Sequence, residues 1–220
     1  LNEEVVLTST SGFAASSFTA NSQIGEYIVT AALSSGSLAA TYHVGNGFWA
    51  ITPDGNDSNN CLSKLTPCAT ISGVLAKQNF YDGDHVRLLA GSYNTFNIVN
   101  LYDSAVISGG WNSTFSTQIG TSAILEIFHI YLLGNAVLER LVIGSVPYVG
   151  IFNDGTVLFQ DGAVINNQGI TNQNLMTIRN STISGNTNLG NGGGIRSVEN
   201  TGNTTVINST ISSNTGAQGG

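Results

Sequence analysis

Asn180-Ser181-Thr182-Ile183-Ser184-Gly185-Asn186-Thr187 returns as Asn208-Ser209-Thr210-Ile211-Ser212-Ser213-Asn214-Thr215, a period of 28 residues. A glycine-rich corner follows each copy, at 190–194 and at Gly219-Gly220, and the β-branched run Thr204-Thr205-Val206-Ile207 lies between them. A fixed period of this size is the signature of a repeat architecture. Short strand, polar corner, short strand, glycine corner makes one coil of a solenoid. Such a coil cannot bury its own apolar face and is stable only when stacked on neighbours.

Weaker echoes run upstream. Val164-Ile165-Asn166-Asn167 precedes Ile183 to Asn186 by 19 residues, and Val137-Leu138-Glu139-Arg140 and Val157-Leu158-Phe159-Gln160 read as the same strand in earlier coils. The spacing varies between about 20 and 28 residues, so coils differ at their corners. In a parallel stack each position recurs about 4.8 Å above itself, so a repeated charge would face its own copy, which destabilises a sheet. Asparagine can hydrogen-bond up the stack and tolerates the left-handed backbone of tight corners. Asn180, Asn186, Asn208 and Asn214 are therefore expected to form a structural ladder. Only 9% of residues are charged, against about 25% in an ordinary soluble domain.

The chain has 220 residues, room for one large or two small domains, and 41% are hydrophobic, which argues against disorder. A net charge of −7 with two lysines, Lys64 and Lys77, excludes nucleic acid as an expected partner and disfavours a polyanionic glycan. No apolar run approaches the roughly 20 residues of a membrane helix, and no signal peptide is evident. The chain opens in strand-like sequence and stops within a repeat, as expected of a piece of a longer protein. Cys61 and Cys68 are the only cysteines. A close pair in a polar loop, in a chain of exterior-type composition, is expected to close a small disulfide loop.

Taken in order, Val5 to Thr8, Phe13 to Thr19 and Tyr27 to Leu33 alternate as strands between Ser-Gly and Ile-Gly turns. The run Ser16 to Asn21, followed by Ile24-Gly25-Glu26-Tyr27-Ile28-Val29-Thr30-Ala31, resembles the last strands of a bacterial immunoglobulin-like repeat. A full sandwich takes about 100 residues, so residues 1–46 would be a partial module with an open edge, a site for strand addition.

Residues 47–93 form a lead-in. Trp49 to Ser58 reads as a strand entering an Asx-rich turn. Thr66-Pro67 supplies a helix cap and first-turn proline, and Ile71, Val74 and Leu75 form a helical apolar stripe. A helix there would cover the open end of the first coil. Asp54 to Tyr93 resembles the lead-in of secreted bacterial right-handed parallel β-helix proteins, with the pattern "dGsDsn…C…tPcaTI…A…GDtvrlaaGtY". Val106 to Asn112 is similar to the "vtlsGGW" coil that follows in that family. The resemblance covers about 175 residues and implies fold more than activity, since this fold serves pectate-lyase-like enzymes, tailspikes and adhesins alike. Leu125 to Tyr148 departs from the family in being more apolar, and Pro147 marks a loop or edge.

A β-helix lyase needs clustered carboxylates for calcium and an Arg or Lys base on one face. Asp54, Asp57, Asp82, Asp84, Asp103, Asp154 and Asp161 do not recur at repeat spacing. Asp54 and Asp57, with Asn56, could ligate calcium but read first as turn-formers, and no metal is assigned. Glu126 and Glu139 could approach across adjacent coils as a glycosidase pair, although a solvated pair is the simpler reading. Arg140, Arg179 and Arg196 read as surface decoration at strand ends. His43, His85 and His129 accompany no nucleophile motif, and the sequons at Asn112, Asn180 and Asn208 read as ladder positions.

The expectation is an all-β chain. A partial Ig-like segment (1–46) leads through a disulfide-bearing lead-in with a short capping helix (47–93) into right-handed parallel β-helix coils (94–220). The expected function is an exported, non-enzymatic adhesive or structural surface protein with no catalytic residue and no cofactor. It would self-associate into a homo-oligomer or filament through the Ig-like edge and the solenoid end, with surface glycans as further partners. The alternatives are a polysaccharide lyase or hydrolase, marked by carboxylates and a cation in one groove, and a carbohydrate-binding module. The module would show Tyr93, Phe96, Tyr102 and Trp111 on one exposed face.

Overall fold

The structure is a computed structural model, and it describes residues 25–32, 39–144, 150–198 and 201–218. Side chains of 25–29, 31–32, 39, 41–46, 95–98, 126–129, 189, 191 and 218 are outside the description. Apart from one short helix the described chain is strand and turn, wound as a parallel β-helix. Seven strands stack in one sheet: Trp49–Ile51, Asp84–Leu89, Ala105–Trp111, Ala136–Glu139, Thr156–Gln160, Leu175–Arg179 and Asn203–Ile207, each parallel to the next. Alternation sets the two faces. Val86, Ile107, Leu138, Phe159 and Ile178 stack inward as one column and are all buried.

The facing sheet changes along the rod. Gly91–Leu101 and Ser122–Leu132 are long and continuous. The first half of Ser122–Leu132 pairs with Leu141–Gly144, and its second half pairs with Ile151–Asn153. From there the sheet continues as two shorter columns. One runs through Ala163–Ile165, Thr182–Ser184 and Thr210–Ser212; the other through Ile170–Asn172 and Ile195–Ser197. The corner after the first column is a left-handed residue in the last three described coils: Asn166, Gly185 and Ser213 have φ of 54°, 67° and 56°. A second left-handed corner, at Arg140, Asp161, Asn180 and Asn208, turns the chain off the seven-stranded sheet.

The 28-residue period is the register of the final coils, with Ile183 over Ile211. Val164 over Ile183 is the 19-residue step. Most of the growth comes where Thr187–Asn191 is inserted after Asn186 and pairs with Thr215–Gln218 as a small sheet of its own; the rest lies in the turn before Asn203–Ile207. One reading from sequence is corrected. Val137 to Arg140 and Val157 to Gln160 belong to the seven-stranded sheet, not to the column of Val164 and Ile183. They also pair one residue off the apparent alignment, Val137 over Leu158 and Glu139 over Gln160. A one-residue slip exchanges inside for outside, and only this register puts both Leu138 and Phe159 in the core.

Asn186, fully buried, accepts from the Asn167 amide and donates to Asn214 Oδ1 at 2.9 Å and to the Val164 carbonyl at 3.0 Å. A second buried pair, absent from the sequence reading, joins Asn153 Nδ2 to Asn172 Oδ1 at 2.7 Å. Asn180 and Asn208 instead occupy the left-handed corner, where Asn180 Nδ2 reaches Asp161 Oδ1.

The helix is Ile71–Leu75, capped by Thr70, whose Oγ1 accepts from the Gly73 amide. The expected cap at Thr66 is thus displaced by four residues. Thr66 and Pro67 lie inside the loop closed by a Cys61–Cys68 disulfide with Cα atoms 5.0 Å apart. Asp57 explains the shift: its carboxylate accepts from the Ala69 and Thr70 amides and from Thr70 Oγ1, fixing the chain just before the helix. Residues 1–24, and with them most of the Ig-like segment, lie outside the described residues. Of that segment the structure describes an antiparallel hairpin, Gly25–Ala32 with Ala39–Asn46.

Candidate functional site

The outer face of the seven-stranded sheet carries two lanes of side chains about 6.6 Å apart, the span of two strand residues. Register aligns Arg87, Ser108, Glu139, Gln160 and Arg179 in the first lane, and His85, Val106, Val137, Leu158 and Thr177 in the second. The first lane is polar over its whole length, and it is open from Glu139 to Arg179, whereas Ser108 is buried with its Oγ bonded to Trp111 Nε1. The second is apolar through its middle, and Val106, Val137 and Leu158 there are only half-buried.

A protruding segment, residues 112–120, walls the first lane. It leaves the sheet at Gly110, whose φ of 75° and distance of only 1.9 Å between an added Cβ and the Gly120 carbonyl oxygen exclude any side chain. The Ile119 amide donates to the Gly110 carbonyl, closing the segment at its neck. Phe115 anchors the tip, buried beside Phe48 at a centroid distance of 5.2 Å.

Arg87 ties wall to sheet. Its guanidinium lies 4.2 Å from the Phe48 ring centroid and 4.0 Å from that of Trp111, and its Nη1 donates to the Phe115 carbonyl at 2.7 Å. Burial lowers the proton affinity of Arg87 from its ordinary value, while the Glu139 carboxylate acts in the opposite direction. Trp111 Nε1 donates to Ser108 Oγ at 2.9 Å. Glu139 sits at the middle of the lane with each oxygen held by an amide: Gln118 Nε2 reaches Oε1 and Gln160 Nε2 reaches Oε2, both at 3.1 Å. Arg179, by contrast, is exposed and has no side-chain partner among the described residues.

In the sequence Glu139 reads only as half of a carboxylate pair and Arg140 and Arg179 as decoration, and no motif or spacing marks Arg87, Ser108, Gln118 or Gln160. Glu126 lies on Ser122–Leu132 in the facing sheet, so it is not a cross-strand neighbour of Glu139. The proposed aromatic face does not assemble either. Tyr93 is buried, with its hydroxyl 2.8 Å from the Leu89 carbonyl oxygen, and Trp111 lies under Arg87, while Tyr102 is exposed; the Phe96 side chain is outside the described residues. Asp57 is occupied in capping the helix, and among the described residues no three His, Cys, Asp or Glu side chains cluster as a metal site. No helix among the described residues is long and apolar enough to cross a membrane. The disulfide fits an oxidising compartment.

No known family matches this sequence, and no curated protein matches it. Among solved structures the chain is similar in fold to pectate lyase Pel9A, with a TM-score of 0.52 and 16% identity over 65% of this chain and 40% of that one. A rhamnogalacturonan lyase aligns at a TM-score of 0.44 and 15% identity, over 76% of this chain and 50% of its own. The chain thus spans half or less of the length of either. At such identity what is shared with the pectate lyase is the parallel β-helix itself. The expectation that the chain is not an enzyme is corrected to this extent: it rests on the lack of a familiar constellation in the sequence, and a solved structure similar in fold is a pectate lyase.

Proposed function

We propose that the chain is an exported polysaccharide lyase that holds its substrate along the solenoid axis, over the two lanes of the seven-stranded sheet. The observation that carries this reading is the polar lane from Arg87 to Arg179, walled by residues 112–120, on a fold shared with a pectate lyase. A parallel stack offers one residue per coil at about 4.8 Å, close to the advance of a sugar chain per unit, so an extended glycan meets each coil in turn. The net charge of −7 weighs against an anionic ligand, but charge acts locally. Three of the six cations, Arg87, Arg140 and Arg179, lie on or at the border of this one face.

The chemistry follows from the exposed guanidinium. A uronate paired with Arg179 has its carboxylate charge neutralised, which stabilises the carbanion formed when a solvent hydroxide takes the proton on the adjacent ring carbon and becomes water. The carbanion's electron pair forms the ring C=C bond as the C–O bond to the neighbouring glycosidic oxygen breaks, and that oxygen leaves as a hydroxyl by taking a proton from water, which regenerates the hydroxide and leaves an unsaturated sugar. The test is to incubate the chain with polygalacturonate, alginate and gellan, following the ultraviolet absorbance of the unsaturated product. Turnover is expected on at least one, with Arg179→Ala lowering kcat/KM about tenfold, the loss of one charge-assisted hydrogen bond. Absence of both product and binding across the panel would overturn the reading. The adhesive, self-assembling alternative draws on an Ig-like edge that lies mostly outside the described residues, and the fold likeness favours the polysaccharide reading over it.

A further inference from the structure

We infer that the substrate is a sparsely acidic heteropolysaccharide, in which a uronate at Arg179 is followed toward Glu139 by at least two neutral sugars. The inference rests on the lyase reading and concerns which polymer that site accepts.

Two independent features of the face agree. The first is the order of charge along the polar lane: Arg87 positive, Ser108 neutral, Glu139 negative, Gln160 neutral, Arg179 positive. A polymer with a carboxylate on every sugar, lying along this lane, would set one against Glu139. That carboxylate cannot swing aside, because the Gln118 and Gln160 amides hold both of its oxygens at 3.1 Å. A fixed like charge rejects such a ligand. An ionised carboxylate offers about four lone-pair sites, and the two amides leave the rest to accept sugar hydroxyls.

The second feature is the neighbouring lane. Val106, Val137 and Leu158 present half-buried apolar surface on the coils of Ser108, Glu139 and Gln160, whereas Thr177 stands beside Arg179. The C–H face of a neutral sugar fits the apolar stretch, and the lane turns polar at the coil where the free cation begins. Strict alternation of acidic and neutral sugars is also disfavoured, since Glu139 is two coils from Arg179 and would meet the next uronate.

The experiment compares binding and turnover by the 220-residue chain on polygalacturonate, on gellan (a single uronate among the neutral sugars of each repeat) and on neutral galactan. Gellan is expected to bind about tenfold more tightly than either of the others. Glu139→Gln should raise affinity for polygalacturonate about tenfold relative to that for gellan, which erases the wild-type preference; Arg179→Ala should lower gellan binding to the level of galactan. Gln160→Glu, a second variant in case Glu139→Gln disturbs the lane, should weaken polygalacturonate binding further. Thermal unfolding controls for the fold of each variant. A wild-type preference for polygalacturonate with no response to Glu139→Gln overturns the inference and leaves the lyase reading standing. Equal binding of gellan and galactan, unmoved by Arg179→Ala, also overturns it. No binding or product on any polymer overturns the lyase reading itself.

Discussion

Tyr93 shows how a single residue couples the lead-in to the coils. It is buried, and its hydroxyl lies 3.1 Å from the Ile51 carbonyl oxygen and 2.8 Å from that of Leu89, joining the first two strands of the seven-stranded sheet. Burial disfavours the phenolate and holds the Tyr93 proton well above the ordinary tyrosine range. The folded-state pKa therefore lies above the unfolded one. The contribution to stability is complete below the unfolded value of about 10 and is lost as pH rises beyond it. Denaturant midpoints measured between neutral pH and strongly alkaline pH should fall at the alkaline end, and Tyr93→Phe should flatten that fall. An unchanged slope in the variant would assign the alkaline loss elsewhere.

At the scale of elements, the lead-in joins the apolar core through Trp49, Ile51, Ile71, Val74 and Phe80, and polar detail fixes its path. Cys61 and Cys68 are both buried, the Ala50 amide donates to the Cys61 carbonyl at 2.8 Å, and the Cys68 amide donates to the Ala50 carbonyl at 2.9 Å. The loop thus acts as an extra strand partner for Trp49–Ile51 at the sheet's end, where an open edge would otherwise be exposed. Lys77 Nζ fastens the segment that enters this loop, donating to the Asp57 and Asn59 carbonyls. Replacing both cysteines by serine should cost about 2 to 3 kcal/mol, the constraint that a short ring places on the unfolded chain. Hydrogen exchange should then speed up at the Ala50 amide and hardly at Thr156–Gln160. Equal acceleration in both strands would mean that the loop stabilises the whole rod and not its end.

At the scale of the molecule, stability is a sum over neighbouring coils, so equivalent positions should not be equally costly to truncate. Phe159 and Val206 belong to the same inward column. Phe159 has coils on both sides and is fully buried, while Val206 is 41% exposed on the end strand of the seven-stranded sheet. Phe159→Ala should cost about 3 to 5 kcal/mol through the cavity it leaves, and Val206→Ala under about 1 kcal/mol, as at a partly exposed site. Urea unfolding of the two variants checks this. Similar costs would mean that Val206 is covered by something beyond these coils.

The solenoid was legible in the sequence because stacking forces like onto like: the two eight-residue copies lie one directly above the other, and their spacing is the coil itself. The disulfide was legible from two cysteines in a short polar loop, and the parallel β-helix from the lead-in pattern. The outer-face lanes were not legible. Steps of 21, 31, 21 and 19 residues separate Arg87, Ser108, Glu139, Gln160 and Arg179, and no fixed period connects them. Corners absorb insertions without disturbing strand register, so residues distant and irregular in sequence come to share one face. The helix cap moved from Thr66 to Thr70 for a related reason, since Asp57 engages its backbone from 13 residues away. Local repetition and turn chemistry set the winding of this chain, because they act between neighbours. Which side chains meet on its surface was decided only when the coils were stacked, because pairing register, and not sequence distance, determines what lies above what.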